Sequence, residues 1–546
     1  MTKIPEREAA AGRPRARPDR HPDRHSARRK AGRAGGRRAR HALRAAGTEG
    51  SVVSPGMTGG AYRPLSDRDM RRIYETALDI LANIGIADPL PEILRYALPG
   101  GCQLDGNGRL RFPRALVEDL IDLSAKSYVA YGPDPAFDCE LTAERVYFST
   151  SGESVSILDY EDRSYRPTTI VDLYDAARLA DMLEHVHMFG QPFIAAEFSE
   201  QVFVHDMNIA YAELAGTRKH FALGIAEVDH IDPLIALFDA YLGEEGGFLK
   251  RPFCTIGGCP IVSPLRFGKD NAQVMVKLAE LGLTADIAVA PQAGATAPAA
   301  LAGTLAQTFA ETLSCLCVVN LVRPGAAMNF GMWPFISDLR TGAFSGGSGE
   351  EALVMAASAQ LCNHFGFITS MASGMTDAKV MDAQAGYEKA ITSTALALTG
   401  TNLIAAYPGI VGSLLGQSFE GLVIDNDMFG NVQRLLRGIE VTDETLSYEV
   451  IEETVFGKGH YLGHPQTLEL MQTEYLYPEV ADRRTAGEWE VTGKEDVSEL
   501  AHRKVREILS GHYPEYIGKA ADQRIRDRFP IRLAPEDMRA GNGRWQ

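Results

Sequence analysis

Apolar residues recur at helical spacing from the point where large side chains first appear in number. Met70, Ile73, Leu78, Ile80 and Leu81 share one face, and Ser66 stands before them as an N-cap. A second helix is predicted around 91–96, and 109–127 reads as a short strand followed by a helix. Residues 145–167 alternate apolar and polar side chains, with turn residues at Ser151-Gly152 and 159–162, which predicts strands or a hairpin. From about 165 to 430 short apolar segments alternate with longer amphipathic ones. The predicted strands lie within 187–195, 219–226, 253–261, 285–295, 316–331, 367–375 and 401–409. Predicted helices fill the gaps at 168–183, 267–282, 298–315, 348–366 and 387–400. Seven or eight strand–helix units in this span predict a parallel β/α fold with crossover helices. A doubly wound nucleotide-binding sheet normally shows a glycine-rich phosphate loop, and neither GxGxxG after a first strand nor GxxxxGK[ST] occurs. The expected fold is therefore a TIM (β/α)8 barrel over 141–435, with an α-rich N-terminal segment at 56–140 and a helical C-terminal extension at 436–546.

Charge divides the chain in two. The formal balance is −16, but the first fifty residues hold 15 basic and 5 acidic side chains, which leaves 40 basic against 66 acidic in the remainder. Residues 1–55 are rich in Arg, Ala, Gly and Pro and have few large apolar side chains, so they read as a disordered, solvated basic tail. A nucleic-acid arm, an anchor to an anionic surface and an over-long start of the reading frame are the alternatives. The acidic body excludes broad nucleic-acid binding, which needs a basic face. Seven cysteines without a CxxC pair fit neither a disulfide framework nor a zinc knuckle and suit small buried side chains in a reducing cytoplasm. No uninterrupted stretch approaches the roughly 20 apolar residues of a membrane span, and no apolar segment of a secretory signal follows the leader's arginines. An acidic body with a helical extension is compatible with a homo-oligomer.

In a barrel the reactive groups belong at the carboxyl ends of the strands. Four places qualify: Gln292; Asn329 and Phe330 with Trp333; the segment 371–389; and Tyr407 with Pro408. The third is the densest, with Asp377, Lys379, Asp382, Gln384, Tyr387 and Glu388 within twelve residues, although a solvated loop is also polar. Gly374 and Gly386 flank it and supply backbone freedom for an inward fold. Tyr147, Phe148, Phe330, Trp333 and Tyr407 at strand ends suggest an aromatic box whose π-faces attract a quaternary ammonium; core packing is the plainer account of each. No HExxH metal motif and no GxSxG elbow occurs, so no metal site is expected.

Several segments resemble one family, the trimethylamine/glycine betaine corrinoid methyltransferases, or MttB-like proteins. They are LAGTLAQTFAETLS, DLRTGAFSGGSGEEALVMAASAQL, GMTDAKVMDAQAGYEKAITSTALALTGTNLI and FEGLVIDNDMFGNVQRLLRGIEVTDETL, and the likeness runs from about residue 60 to 530. The resemblance implies a TIM barrel that moves a methyl group from a methylated amine to the Co(I) of a separate corrinoid protein, with no cofactor bound tightly by the barrel itself. The trimethylamine enzymes carry pyrrolysine just before the DAK motif, where this chain has Met375. That departure favours the non-pyrrolysine branch, whose characterised members demethylate quaternary amines such as glycine betaine. On this reading Phe330, Trp333 and Tyr407 hold the cation and Met375 lies in the substrate pocket. Asp377, Gln384, Tyr387 and Glu388 form the catalytic pocket wall, and Gln292 and Asn329 contact a substrate carboxylate. The rival readings are a betaine-binding homologue without catalysis and a barrel lyase or aldolase using Lys379 as a Schiff base.

Overall fold

A computed structural model describes residues 56–142 and 145–545, so the expected 1–55 tail lies outside the described residues. Eight parallel strands form its centre: β1 Arg145–Ser149, β2 Phe189–Gly190, β3 Phe221–Gly224, β4 Cys254–Gly258, β5 Ala285–Val289, β6 Met328–Met332, β7 Thr369–Ala372 and β8 Leu403–Ala405. Neighbours pair in chain order, and β8 returns to β1 with Ile404 opposite Phe148. The ring closes between β1 and β2 through a Ser149–Met188 bridge, with Gly190 N–H donating to the Thr150 carbonyl at 3.1 Å. This is the expected (β/α)8 barrel.

A helix follows each strand: α1 Ile170–Met182, α2 Val202–Gly216, α3 Ile231–Leu242, α4 Lys269–Leu281, α5 Leu301–Val322, α6 Gly349–His364, α7 Ala383–Thr399 and α8 Phe419–Arg437. Side-chain caps fix where several begin. Thr169 and Asp172 form a capping box on α1, and Ser348, Asp382 and Ser418 accept from the first-turn N–H groups of α6, α7 and α8. The loops above the barrel are therefore held at their helical ends.

One expectation for the barrel strands needed correction. Residues 316–322 do not belong to a strand; they complete the 22-residue α5, and the strand begins at Met328. α5 is covered by the barrel on one side and by the helices Asp67–Asp79, Pro91–Ala97 and Arg114–Leu123 on the other, so it is apolar all round and loses the helical period. Burial likewise accounts for its composition: it is the one helix among the described residues long and apolar enough to cross a membrane, and most of it is enclosed. The strands expected over 145–167 are present: 145–149 is barrel strand β1, and 156–158 pairs antiparallel with 165–167 across the turn at 159–162.

The C-terminal extension lies against the outside of the helix ring. Helix Val497–Gly511 packs on α8 and α1, and Lys519–Arg528 packs on α3. Arg178 of α1, with no exposed surface, donates to the Leu509 and His512 carbonyls at 2.7 Å each and to Asp175 at 2.9 Å. It thereby satisfies carbonyls at the end of the 497–511 helix. Trp545 Nε1 and Arg544 close on the same Asp175 at 2.7 and 2.9 Å.

Candidate functional site at the mouth of the barrel

The strands that line the upper barrel are poor in bulk. Ala222, Gly224, Gly257, Gly258 and Ala288 occupy wall positions where larger side chains would fill the centre, and a cavity of about 640 Å³ opens at the carboxyl ends of the strands. Three carboxylates line it. Glu153 follows β1, Asp206 lies in the first turns of α2, and Asp286 belongs to β5. Glu153 reaches from the loop after β1 to lie over Gly224 of β3, two strands from Asp286 on β5.

Each carboxylate has a built seat. Glu153 adopts φ 57°, in the left-handed region, and its Oε1 would lie 2.7 Å from a Cβ added at Gly224. Glycine at 224 is what admits it. Burial raises the Glu153 carboxyl; His205 opposes this and Asp206 reinforces it. Asp286 accepts from Asn329 Nδ2 at 3.1 Å, and burial holds its pKa up to about 6 against that hydrogen bond. Asp206 receives His230 Nδ1 at 2.7 Å, His205 Nδ1 at 3.1 Å and the Ala226 N–H at 3.1 Å. His205 Nε2 in turn accepts from the Ala195 N–H at 3.4 Å, which fixes its tautomer with the proton on Nδ1. Behind the wall Glu213 is fully buried with no hydrogen bond to either carboxyl oxygen, and burial together with Glu153 pushes its pKa well up, so it is held neutral.

Aromatic residues complete the wall. Trp333 and Tyr407 meet edge to face with centroids 6.3 Å apart, and Phe335 lies 6.3 Å from Trp333. Trp333 Nε1 donates to the Ser370 carbonyl at 2.8 Å, which sets the ring's orientation from β7. Tyr407 has φ 42°, and burial raises its phenol while a hydrogen bond to Ser151 opposes the rise. The strained backbone of Tyr407 rests on a buried pair: Lys389 Nζ donates to the Tyr407 carbonyl at 3.1 Å and the Gly374 carbonyl at 2.6 Å and meets Asp425 at 3.0 Å. Asp425 also accepts from the Gly409 N–H at 2.7 Å. Burial moves the Lys389 ammonium down and the Asp425 carboxyl up, each against the attraction of the other.

Of the residues picked from the sequence, Trp333 and Tyr407 line the cavity. Asn329 stands one step behind the wall, on Asp286. Phe330 does not reach the cavity; it stacks on Phe367 at 4.4 Å and meets Phe309 of α5, because alternation along β6 turns it to the helix layer. Tyr147 and Phe148 are likewise in the core, Phe148 stacked on Phe429 at 4.5 Å. Met375 is fully buried, with its Cβ against Gly346, and is not part of the wall. Gln292 accepts from Ser337 Oγ at 3.2 Å beside the wall rather than within it.

The dense segment after β7 ties loops together. Asp377 accepts from Ser345 Oγ at 2.7 Å, the Gly346 N–H at 3.1 Å and Ser413 Oγ at 2.6 Å, so one carboxylate joins the loops after β6, β7 and β8. Glu388 accepts from Thr376 Oγ1, the Asp377 N–H and Gln384 Nε2 at 2.6, 2.8 and 2.9 Å. Tyr387 faces outward and is 57% exposed. Lys379 is exposed and donates to the Asp377 carbonyl, and so lacks the inward, desolvated setting of a Schiff-base lysine.

Glu153, Asp206, Asp286 and His205 were not picked out from the sequence. Asp286 alone left a trace: a single acidic residue inside an otherwise apolar strand. Among the described residues no group of three or more His, Cys, Asp or Glu is placed to hold a metal ion. Cys259 is open to the cavity, but partial desolvation there, with Glu153 and Asp286, pushes its thiol up to about 11, which makes it a poor nucleophile.

Fold and site together define a parallel (β/α)8 barrel with an acidic, aromatic-walled mouth. The chain belongs to the trimethylamine methyltransferase (MTTB) family, whose family model matches residues 33–533. It is 30% identical over 459 residues to a trimethylamine methyltransferase MttB of Methanosarcina thermophila, covering 82% of this chain and 92% of that protein. It is 26% identical over 468 residues to a glycine betaine methyltransferase of Desulfitobacterium hafniense (strain Y51), covering 85% and 96%. The crystal structure of the Methanosarcina barkeri monomethylamine methyltransferase MtmB matches with 13% identity and a TM-score of 0.42, over 83% of this chain and 95% of that one.

Proposed function

We propose that the protein transfers a methyl group from a quaternary methylammonium bound in the barrel mouth to the Co(I) of a separate corrinoid protein. The observation that carries this is the wall itself: Trp333 and Tyr407 face the same cavity as Glu153, Asp206 and Asp286, within a chain of the methyltransferase family. Aromatic faces and carboxylates both attract a cation, and the aromatic faces do so without needing an N–H from it. The cavity's own groups fit a reaction whose nucleophile arrives from outside. Its thiol is held protonated, and Asp206 already engages the cavity histidine. Reduced cobalt supplies the electron pair that forms the new bond to the methyl carbon. As the C–N bond breaks, its pair stays on nitrogen, which leaves as a neutral tertiary amine, so no proton has to be delivered. The protein's share is to hold the cation and aim one methyl outward, and loss of positive charge from nitrogen on transfer makes release of the amine favourable. Asp377, Glu388 and Gln384 serve as positioning residues for the loops above the cavity.

Incubating the protein with methylated amines, a Co(I) corrinoid protein and a reductant tests this by absorbance. Methyl-Co(III) should form with at least one quaternary donor and not without the protein. No methyl transfer from any quaternary donor overturns the proposal.

A further inference from the structure

We infer that the substrate is a quaternary ammonium without an acid group, bearing either no second polar group or a hydroxyl. This rests on the methyl-donor reading of the same cavity and narrows it. A betaine is a zwitterion, so its site must hold a carboxylate as well as a cation. A lysine or an arginine serves that need. Among the described residues no lysine or arginine lines this cavity. The one histidine there gives its Nδ1 proton to Asp206 and accepts a backbone N–H at Nε2. Lys389, behind Tyr407, is already taken by Asp425 and two carbonyls, and Lys219 is spent on three carbonyls of the α1–β2 connection.

The placement of the acids matters as much as their number. Glu153 sits over Gly224 of β3, Asp206 stands on α2 between β2 and β3, and Asp286 belongs to β5, whereas Trp333 and Tyr407 follow β6 and β8. A ligand whose ammonium lies against Trp333 and Tyr407 and whose other end crosses the cavity therefore meets these carboxylates. An acid group meets repulsion there, whereas a hydroxyl donates a hydrogen bond to Glu153 or Asp286. The other polar side chains on the wall, Gln191, Asn271, Ser151 and Ser199, are neutral; Gln191 Oε1 accepts from the Gly224 N–H at 3.3 Å, and Ser151 bonds Tyr407.

Titration calorimetry of the full chain with tetramethylammonium, choline and glycine betaine at pH 7.5 tests the inference without any corrinoid. The first two should bind at least tenfold more tightly than glycine betaine. The variants Glu153→Gln and Asp286→Asn, each checked to melt cooperatively and no lower than the parent, should narrow that ratio. Glycine betaine binding as tightly as choline overturns the inference, as does binding by none of the three. The methyl-transfer assay separates the two readings. Selective binding of choline or tetramethylammonium with no methyl transfer from any donor defeats the transfer reaction and leaves the selectivity standing. Faster transfer from glycine betaine than from choline does the reverse.

Discussion

Trp333 is oriented before any ligand arrives, because its indole N–H is committed to Ser370 and its edge to Tyr407. A preorganised face adds affinity without a further ordering cost. A cation–π contact of about 1–2 kcal/mol corresponds to roughly a five- to thirtyfold change in affinity, so Trp333→Ala should raise the apparent KM for the quaternary donor by about that factor and Trp333→Phe by less. Unchanged kinetics in Trp333→Ala would remove the ring from the site. Asp286 offers a second residue-scale test. Burial raises its pKa from an ordinary 3.8 to about 6, so between those values the folded protein binds a proton more readily than the unfolded chain. Its contribution to stability is therefore complete below pH 3.8 and lost as pH rises through about 6. Asp286→Asn cannot ionise, and should be more stable than the parent by about 1–2 kcal/mol at pH 7.5, after discount for cavity water, with no gain at pH 3.5. Urea unfolding at the two pH values reads the difference. The same titration makes cation binding weaken between pH 7.5 and 5.5.

At the scale of elements, α7 and α8 are joined beneath the site by Lys389 and Asp425, both inaccessible to solvent. Removing one partner of such a pair leaves a buried charge unanswered. Lys389→Met should cost about 3–5 kcal/mol in urea unfolding, and the double variant with Asp425→Leu should recover much of it. A single variant as stable as the parent would show the pair to be incidental. Both residues sit in motifs that the sequence displays plainly, DAQAGYEK and VIDND, yet neither motif shows that its charge closes on the other across two helices. Local signals were readable: Ser66 caps its helix as the spacing predicts, and the strand–helix rhythm marked the barrel. What pattern cannot supply is the face on which a residue falls. Phe330 and Trp333 are three apart on one strand end, and only the register of β6 sends the first into the helix layer and the second to the cavity. Glu153 was hidden because a turn explains its polarity, and Asp206 because a carboxylate on a helix is ordinarily a surface group.

For the molecule as a whole, the extension beyond α8 is stapled to the barrel by α1. Arg178 caps carbonyls at Leu509 and His512, and Asp175 and Asp181 gather contacts from Arg544, Trp545, Tyr516 and His512. Arg178→Met should lower stability by about 2–4 kcal/mol and expose the 497–546 segment to trypsin before the barrel melts. Simultaneous loss of both parts would instead make extension and barrel one cooperative unit. The staple also decides where the tryptophans fall. The chain has three, and Trp489 and Trp545 both belong to the extension, which leaves Trp333 alone at the mouth. With Trp489 and Trp545 replaced by phenylalanine, the cavity carries a single emitter, hydrogen-bonded to a carbonyl and ringed by carboxylates, so each arriving cation is reported as a change of light from the wall it touches.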